Sequence, residues 1–384
     1  MSSESSLSII ILVDGLGWSL VQQTGFLIDL LPHRGPATPP SGYSSAAIPA
    51  LLTGLPPSTT GKWLLFARRR SGPGRLHNFA RLASIANRNV SVDFRLRRWV
   101  RWWCIRMRRW PPHFSLYQIP FTCLRELAFE DTDMGWAPRQ VRGSPTLFPK
   151  IEASGQRLNL FGYPTQDERT LDTALEIISA GESGVCILYL WQLDSAFHSD
   201  FHDSARRQTA VDRYAEGIRR LHDAARARHQ HVNIAIVSDH GMTPVAGGVD
   251  VAAFLNECPV IRQVGPFVFY NSTLVQVWCD DRSALPRLRD ALAGIPHGSL
   301  LSEERLRGEG VWFEDRRFGD LFVLMDEGWV VQPCFFGDEL PSGMHGYDPT
   351  LPDSQAICLT NVDVGRPTDL REVHDALVRL AARS

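Results

Sequence analysis

The chain has 384 residues, 44% hydrophobic and 21% charged, with a formal net charge of −2; this supports a sizeable core and excludes a disordered, collagen-like or coiled-coil chain. No apolar run approaches the roughly 20 residues of a membrane-spanning helix, and seven scattered cysteines without a CxxC pair point to free thiols in a reducing, cytoplasmic setting and not to a disulfide framework. The net charge hides an asymmetry, because from Lys62 to Trp110 one lysine and thirteen arginines stand against the single acid Asp93, a local balance of about +13.

Residues 7–13 (Leu-Ser-Ile-Ile-Ile-Leu-Val) form a short apolar run rich in β-branched Ile and Val, as a buried parallel strand does. With no basic region ahead of it, the run reads as a first strand and not as a signal peptide. It ends in Asp14-Gly15. A Pro/Gly/Ser loop is expected over 36–43, then a short helix over 44–53 closed by Gly54 and Pro56-Pro57. The basic segment follows from Lys62. Placed on a helix, residues 97–110 put Trp99, Val100, Trp103, Cys104, Met107 and Trp110 on one side. Arg97, Arg98, Arg101, Arg106, Arg108 and Arg109 fall on the other, with Trp102 and Ile105 as exceptions. Either the Trp face packs on the core and the arginines are solvated, or the helix is interfacial. An interfacial helix would serve as a lid over an anionic substrate or lie on an anionic membrane, making the protein peripheral there. No nucleic-acid-binding motif accompanies the charge, so a nucleic-acid partner is not expected.

Residues 113–150 show no clear period. Strands are expected at 158–163 and 185–190, a long helix at 203–229 and a buried strand at 234–237. Residues 245–340 mix strands and helices and suggest a smaller lobe. A late strand at 356–360 and a closing helix at 369–382 complete the chain. Alternating strands and helices predict an α/β fold: a mostly parallel central sheet flanked by helices, one catalytic domain over 1–384 with a basic insertion at 62–150.

Three acidic or histidine motifs stand at the carboxyl ends of predicted strands, where open α/β sheets place their sites. Asp14 follows the first strand, Asp194 and His198 follow residues 185–190, and Asp239 and His240 follow 234–237. The i,i+4 spacing of Asp194 and His198 puts both on one face of a helical turn. His345 lies in Gly343-Met344-His345-Gly346. Each alone reads as easily as a turn residue or a solvated pair. Together, three Asp and three His make a mixed oxygen and nitrogen set that suits Zn²⁺ or Mn²⁺ better than Ca²⁺.

Val237-Ser238-Asp239-His240-Gly241-Met242 resembles the signature of the alkaline phosphatase superfamily. Leu193-Asp194-Ser195-Ala196-Phe197-His198 is similar to the PDSxGH segment of its type I phosphodiesterase/nucleotide pyrophosphatase branch. Met344-His345-Gly346-Tyr347-Asp348 resembles that branch's THGYD segment, Leu52-Thr53-Gly54-Leu55-Pro56-Pro57 its VTGLYPE segment, and Val13-Asp14-Gly15 its opening strand end. The motifs keep the family's order between residues 8 and 360; the basic segment and the stretch to about 150 are not covered. The resemblance implies an alkaline-phosphatase-like fold and a phosphoester hydrolase with two divalent metals. One would be held by Asp194, His198 and His345, the other by Asp14, Asp239 and His240. It implies Ser44, nine residues before Thr53, as a nucleophile that passes through a phosphoserine, with Ser45 the choice if the register slips by one. Ser44 also suits a helix N-cap, a position compatible with receiving a phosphoryl anion. One departure stands out: the diesterase branch commonly has an Asn four residues past the glycine matching Gly61, and here that position is Leu65. A phosphomonoesterase, a phosphoryl transferase and a non-catalytic binder of phosphorylated ligands therefore stay open beside the diesterase. Cys258-Pro259-Val260-Ile261-Arg262 does not fit the Cys-x-Pro-x-Arg of formylglycine sulfatases.

Overall fold

The apolar run ahead of Asp14 is the strand β1, Ser6–Val13, inside a six-stranded sheet of the computed structural model. The structure describes residues 6–69, 97–99, 101–102, 106, 115–130 and 135–383. The other strands are β2 (His33–Ala37), β3 (Leu158–Phe161), β4 (Gly184–Leu190), β5 (His231–Val237) and β6 (Ala356–Thr360). Their order is β2-β6-β5-β1-β4-β3. β1 pairs in parallel with β4 and β5, and β3 in parallel with β4; β6 runs antiparallel to both its neighbours.

Apart from Ser6 and Ser8, β1 is apolar because both faces of the sheet are covered. Leu7, Ile9, Ile11 and Val13 point to one face, among residues of α1 (Trp18–Thr24), α4 (Asp167–Ser179) and α6 (Ser204–Arg226). Ile10 and Leu12 point to the other, among residues of α2 (Ser44–Thr53), α3 (Leu147–Ala153) and α7 (Leu370–Ala381). Each of these buried side chains contributes about 1.5–3 kcal/mol. Register then fixes the site's position. Val13 pairs with Leu190 and Leu12 with Val237, so β1, β4 and β5 end side by side. The Asp14 amide donates to Leu190 O at 2.9 Å, and the chain leaves all three strands at one edge.

The chain divides into two compact units, residues 1–61, 135–244 and 341–384 forming the one just described. The second, residues 62–134 and 245–340, holds a four-stranded antiparallel sheet in the order Phe267–Tyr270, Leu274–Trp278, Leu321–Met325, Gly298–Leu300. Its core is aromatic: Trp63 packs on Phe313, Phe318 and Phe322, and Phe66 on Phe129 and Phe269. Among the described residues six cysteines are free thiols, and no helix is long and apolar enough to cross a membrane.

Four expectations need correction. β2 occupies part of the expected loop, as an edge strand bonded to β6 on one side alone, where Pro36 costs no ladder bond. α4 stands where no element was expected. Residues 113–150 contain ordered pieces, Phe121–Leu124, Leu127–Phe129 and α3. In the basic segment, residues 97–99, 101–102 and 106 are helical, but the predicted facing fails. Arg97 is half-buried, its Nη1 donating to the carbonyls of Leu116, Tyr117 and Ile119, its guanidinium over the Phe121 ring. Three carbonyls in need of a donor outcompete water for this cation. Trp99, expected on the packed side, is 57% exposed, and Trp102 is 60% exposed. Val100, Trp103, Cys104, Ile105, Met107, Arg108, Arg109 and Trp110 lie outside the described residues.

Candidate active site

β1 ends at Val13, and a left-handed turn at Gly15 (φ 75°) leaves the buried Asp14 carboxylate at the sheet edge. Tyr189, one residue before the end of β4, donates its hydroxyl to Asp14 Oδ2 at 2.6 Å. Asp239 and His240 follow β5. Asp239 is fully buried, and its Oδ1 accepts from the amides of Gly15 (3.3 Å) and His240 (3.1 Å). His240 Nδ1 lies 2.9 Å from Gly241 O. A carbonyl only accepts, so Nδ1 carries the proton. Nε2 is left facing Asp239 Oδ2 (3.2 Å), Asp14 Oδ1 (3.5 Å) and Ser44 Oγ (2.9 Å). Residue 241 must be glycine, because a Cβ there would collide with the Asp353 carbonyl oxygen.

The helix α5, Gln192–Asp200, carries Asp194 and His198 one turn apart. His198 repeats the arrangement of His240: Nδ1 donates to Gly343 O at 2.9 Å and Nε2 lies 3.4 Å from Asp194 Oδ2. A Cβ on Gly343 would come within 2.7 Å of the Phe201 Cβ, so only glycine lets that carbonyl approach. His345 Nε2 lies 3.6 Å from Asp194 Oδ1, and its ring stacks on His240 at 3.6 Å and 10°. Tyr43 meets His345 edge-on at 5.6 Å. A cavity bordered by Pro40, Tyr43, Ala47, His240, His345 and Tyr347 adjoins the cluster.

The donor atoms form two groups, Asp194 with His198 and His345, and Asp14 with Asp194 and His240, the atoms within each lying within 4.8 Å of one another. Asp194 belongs to both; Asp239 stands beside the second group through its contact with His240. All six Asp and His residues singled out from the sequence thus converge. The arrangement also fits a metal. Oδ1 of Asp14, Oδ1 of Asp194 and Oδ2 of Asp239 are buried and accept no hydrogen bond. Three such oxygens are costly to leave unsatisfied, and divalent cations would satisfy them together with the imidazole lone pairs. Neighbouring carbonyls that fix a histidine's tautomer are the usual support of a metal ligand.

Electrostatics agree. Burial, then the Asp239 and Asp194 carboxylates, pushes the Asp14 carboxyl well above its ordinary value. Burial, then the neighbouring His240 imidazole, holds His345 well below its own. For Asp194 burial is outweighed by His198, His345 and His240, and its carboxyl lies below the usual range. His198 is raised: burial opposes this, and Asp194 overcomes it. Crowded carboxylates that repel one another make a cation site.

Ser44 is the first residue of α2, and the N-cap is Tyr43, one residue earlier than expected. Sequence reasoning did not find Tyr189, Tyr43 or the carbonyls of Gly241 and Gly343. Tyr189 left one signal, as the only hydroxyl in the apolar run of β4. The carbonyls left none beyond the glycines themselves.

A family model described as type I phosphodiesterase / nucleotide pyrophosphatase matches residues 152–348. Asp194, His198, Asp239, His240 and His345 fall inside that stretch, Asp14 and Ser44 before it. Among solved structures, human ectonucleotide pyrophosphatase/phosphodiesterase 5 superposes with a TM-score of 0.66 at 13% identity, over 97% of this chain and 94% of its own. The murine protein gives 0.63 at 15% identity, over 97% and 94%. An inactive murine form in complex with AMP gives 0.63 at 16%, over 99% and 95%. At these identities the likeness shows a common fold. No curated protein matches the chain in sequence.

Proposed function

As a member of the type I phosphodiesterase/nucleotide pyrophosphatase family the chain is a phosphoric ester hydrolase, and we propose that it works with two divalent metal ions, Zn²⁺ or Mn²⁺, through a phosphoserine on Ser44. The observation that carries this reading is the Ser44 hydroxyl, 2.9 Å from His240 Nε2, beside three buried carboxylate oxygens that accept no hydrogen bond. Asp194, His198 and His345 would hold one ion, and Asp14, Asp239 and His240 the other, with Asp194 in reach of both groups. When bound, the ions supply Lewis-acid chemistry, lowering an oxygen's pKa and offsetting charge on phosphoryl and leaving oxygens.

The chain's own residues do the rest. Ser44 opens α2, so the positive end of the helix dipole faces an incoming phosphoryl group. The Gly241 and Gly343 carbonyls keep the Nε2 atoms of His240 and His198 turned into the site. Tyr189 holds Asp14 Oδ2, which leaves Oδ1 towards His240. Ser44 Oγ gives up its proton to solvent water and attacks phosphorus. The bond from phosphorus to the leaving oxygen breaks, and that oxygen takes up a proton. Water then cleaves the Ser44 ester, releasing phosphate or a monoester and returning a proton to Oγ.

A small phosphate ester is the substrate class; the AMP complex of the murine relative supports a nucleotide-like one. Leu65, at the place where an Asn is common, favours a second reading, a phosphomonoesterase. Purified protein assayed on para-nitrophenyl phosphate, a para-nitrophenyl phosphodiester and para-nitrophenyl sulfate separates the two. Faster diester turnover supports the first and faster monoester turnover the second. Turnover of none with metal present would mean a silent phospho-ligand binder, and preference for the sulfate would overturn both. We also propose that the helical residues 97–99, 101–102 and 106 rest on an anionic membrane surface, a reading supported by exposed Trp99 and Trp102 beside exposed Arg98, Arg101 and Arg106.

A further inference from the structure

Two helices of the catalytic unit begin without help from their own capping residues. The N-cap of α4 is Gln166 and that of α5 is Trp191, and neither side chain accepts a capping hydrogen bond. Each helix is capped by the other. The Asp167 carboxylate, 4% exposed, accepts from the Trp191 amide on Oδ1 (3.0 Å) and from the Gln192 amide on Oδ2 (2.9 Å). In return, Gln192 Oε1 accepts the Asp167 amide at 2.7 Å. The buried Tyr214 hydroxyl, on α6, donates to Asp167 Oδ2 at 2.5 Å and fixes the carboxylate from a third element. Trp191 Nε1 donates to Thr165 O at 2.9 Å, so the loop before α4 is tied to the start of α5 as well.

Asp194 is the third residue of α5 and the one donor in both metal-ligating groups, and His198 follows one turn later. The placement of the first turn of α5 is therefore the placement of Asp194. We propose that Asp167 is a positioning residue which, with Gln192 and Tyr214, sets where Asp194 and His198 stand. The carboxylate is suited to this because all three of its partners are donors. An Asn would turn an NH₂ towards an amide or a hydroxyl and leave one of them unpaired. The inference rests on the metal-site reading above.

The test uses the full chain, freed of metal by chelation and titrated with Zn²⁺ alone against a competing chromophoric chelator. Asp167→Asn should bind Zn²⁺ about tenfold more weakly, the lower end of what loss of a ligand's support costs. Tyr214→Phe should weaken it in the same direction by less. Ile178→Ala, a fully buried change on α4 away from the capping contacts, should lower the melting temperature and leave Zn²⁺ affinity unchanged. Wild-type affinity in both Asp167→Asn and Tyr214→Phe would overturn the proposal. So would an equal loss in Ile178→Ala, which would mark the effect as general destabilisation. If Asp167→Asn does not fold, Tyr214→Phe decides alone. A wild-type chain that binds no Zn²⁺ would overturn the metal site itself, a different failure from the first.

Discussion

Ser44 contributes a hydroxyl oxygen beside His240, and its removal leaves the six candidate Asp and His ligands in place. Ser44→Ala should lower turnover on the order of 10³-fold or more, with metal content and melting temperature unchanged. Ser45→Ala should lose less than about tenfold, because it leaves the oxygen beside His240 in place. Steady-state kinetics on the two variants check this, and a reversed order would move the nucleophile to Ser45. The acids and histidines were readable because carboxylates and imidazoles are the side chains that ligate metals, and all but His345 stand at or soon after the ends of apolar strands. Asp167 was not. Its partners are the backbone amides of Trp191 and Gln192 and the hydroxyl of Tyr214, 24 to 47 residues away, and none of these leaves a local pattern.

β1, β4 and β5 were visible in the sequence because burial on both faces keeps most of their positions apolar, and the buried exceptions Ser8 and Asn233 hydrogen-bond to each other. β2, bonded along one edge, keeps His33, Arg34 and Pro36 and so reads as loop. In the Arg/Trp segment the described residues 97–99, 101–102 and 106 are helical as expected, but their facing was not legible. A hydrophobicity argument sends arginine outward, and Arg97 instead turns in to serve three carbonyls. The exposed side then carries Arg98, Arg101 and Arg106 with Trp99 and Trp102. Co-sedimentation at low salt should show binding to vesicles containing anionic lipid and little to neutral ones. At about 1 kcal/mol per arginine, changing Arg98, Arg101 and Arg106 to Gln should weaken it on the order of 10²-fold. Equal sedimentation of wild type and triple variant would remove the membrane reading.

At the scale of the molecule, the candidate ligands run from Asp14 to His345, so a metal bound by them would tie distant segments and add to stability as well as chemistry. Chelation should abolish hydrolysis and lower the melting temperature by about 5 °C or more, and Zn²⁺ or Mn²⁺ should restore both. Full activity in protein shown to be metal-free by elemental analysis would refute the metal site. The division into units was readable only in part. A basic insertion from Lys62 and a smaller lobe over 245–340 were expected separately, and that residues 62–134 and 245–340 make one unit was not. Spatial proximity between segments over a hundred residues apart leaves no trace in composition.

The strand order also sets a timetable for synthesis. β2 is made early, but its one neighbour in the sheet is β6, which also flanks β5 and begins only at Ala356. Until the ribosome has released that stretch, β2 has nothing to pair with and β5 presents a bare edge, open to the edge of another nascent chain. The same late segment brings His345. A message cut short after residue 340 would therefore yield a chain that is insoluble as well as inactive. Its partition into the pellet on expression, beside a soluble full-length chain, is the measurement; a soluble truncated product would show that the sheet closes without its last strand.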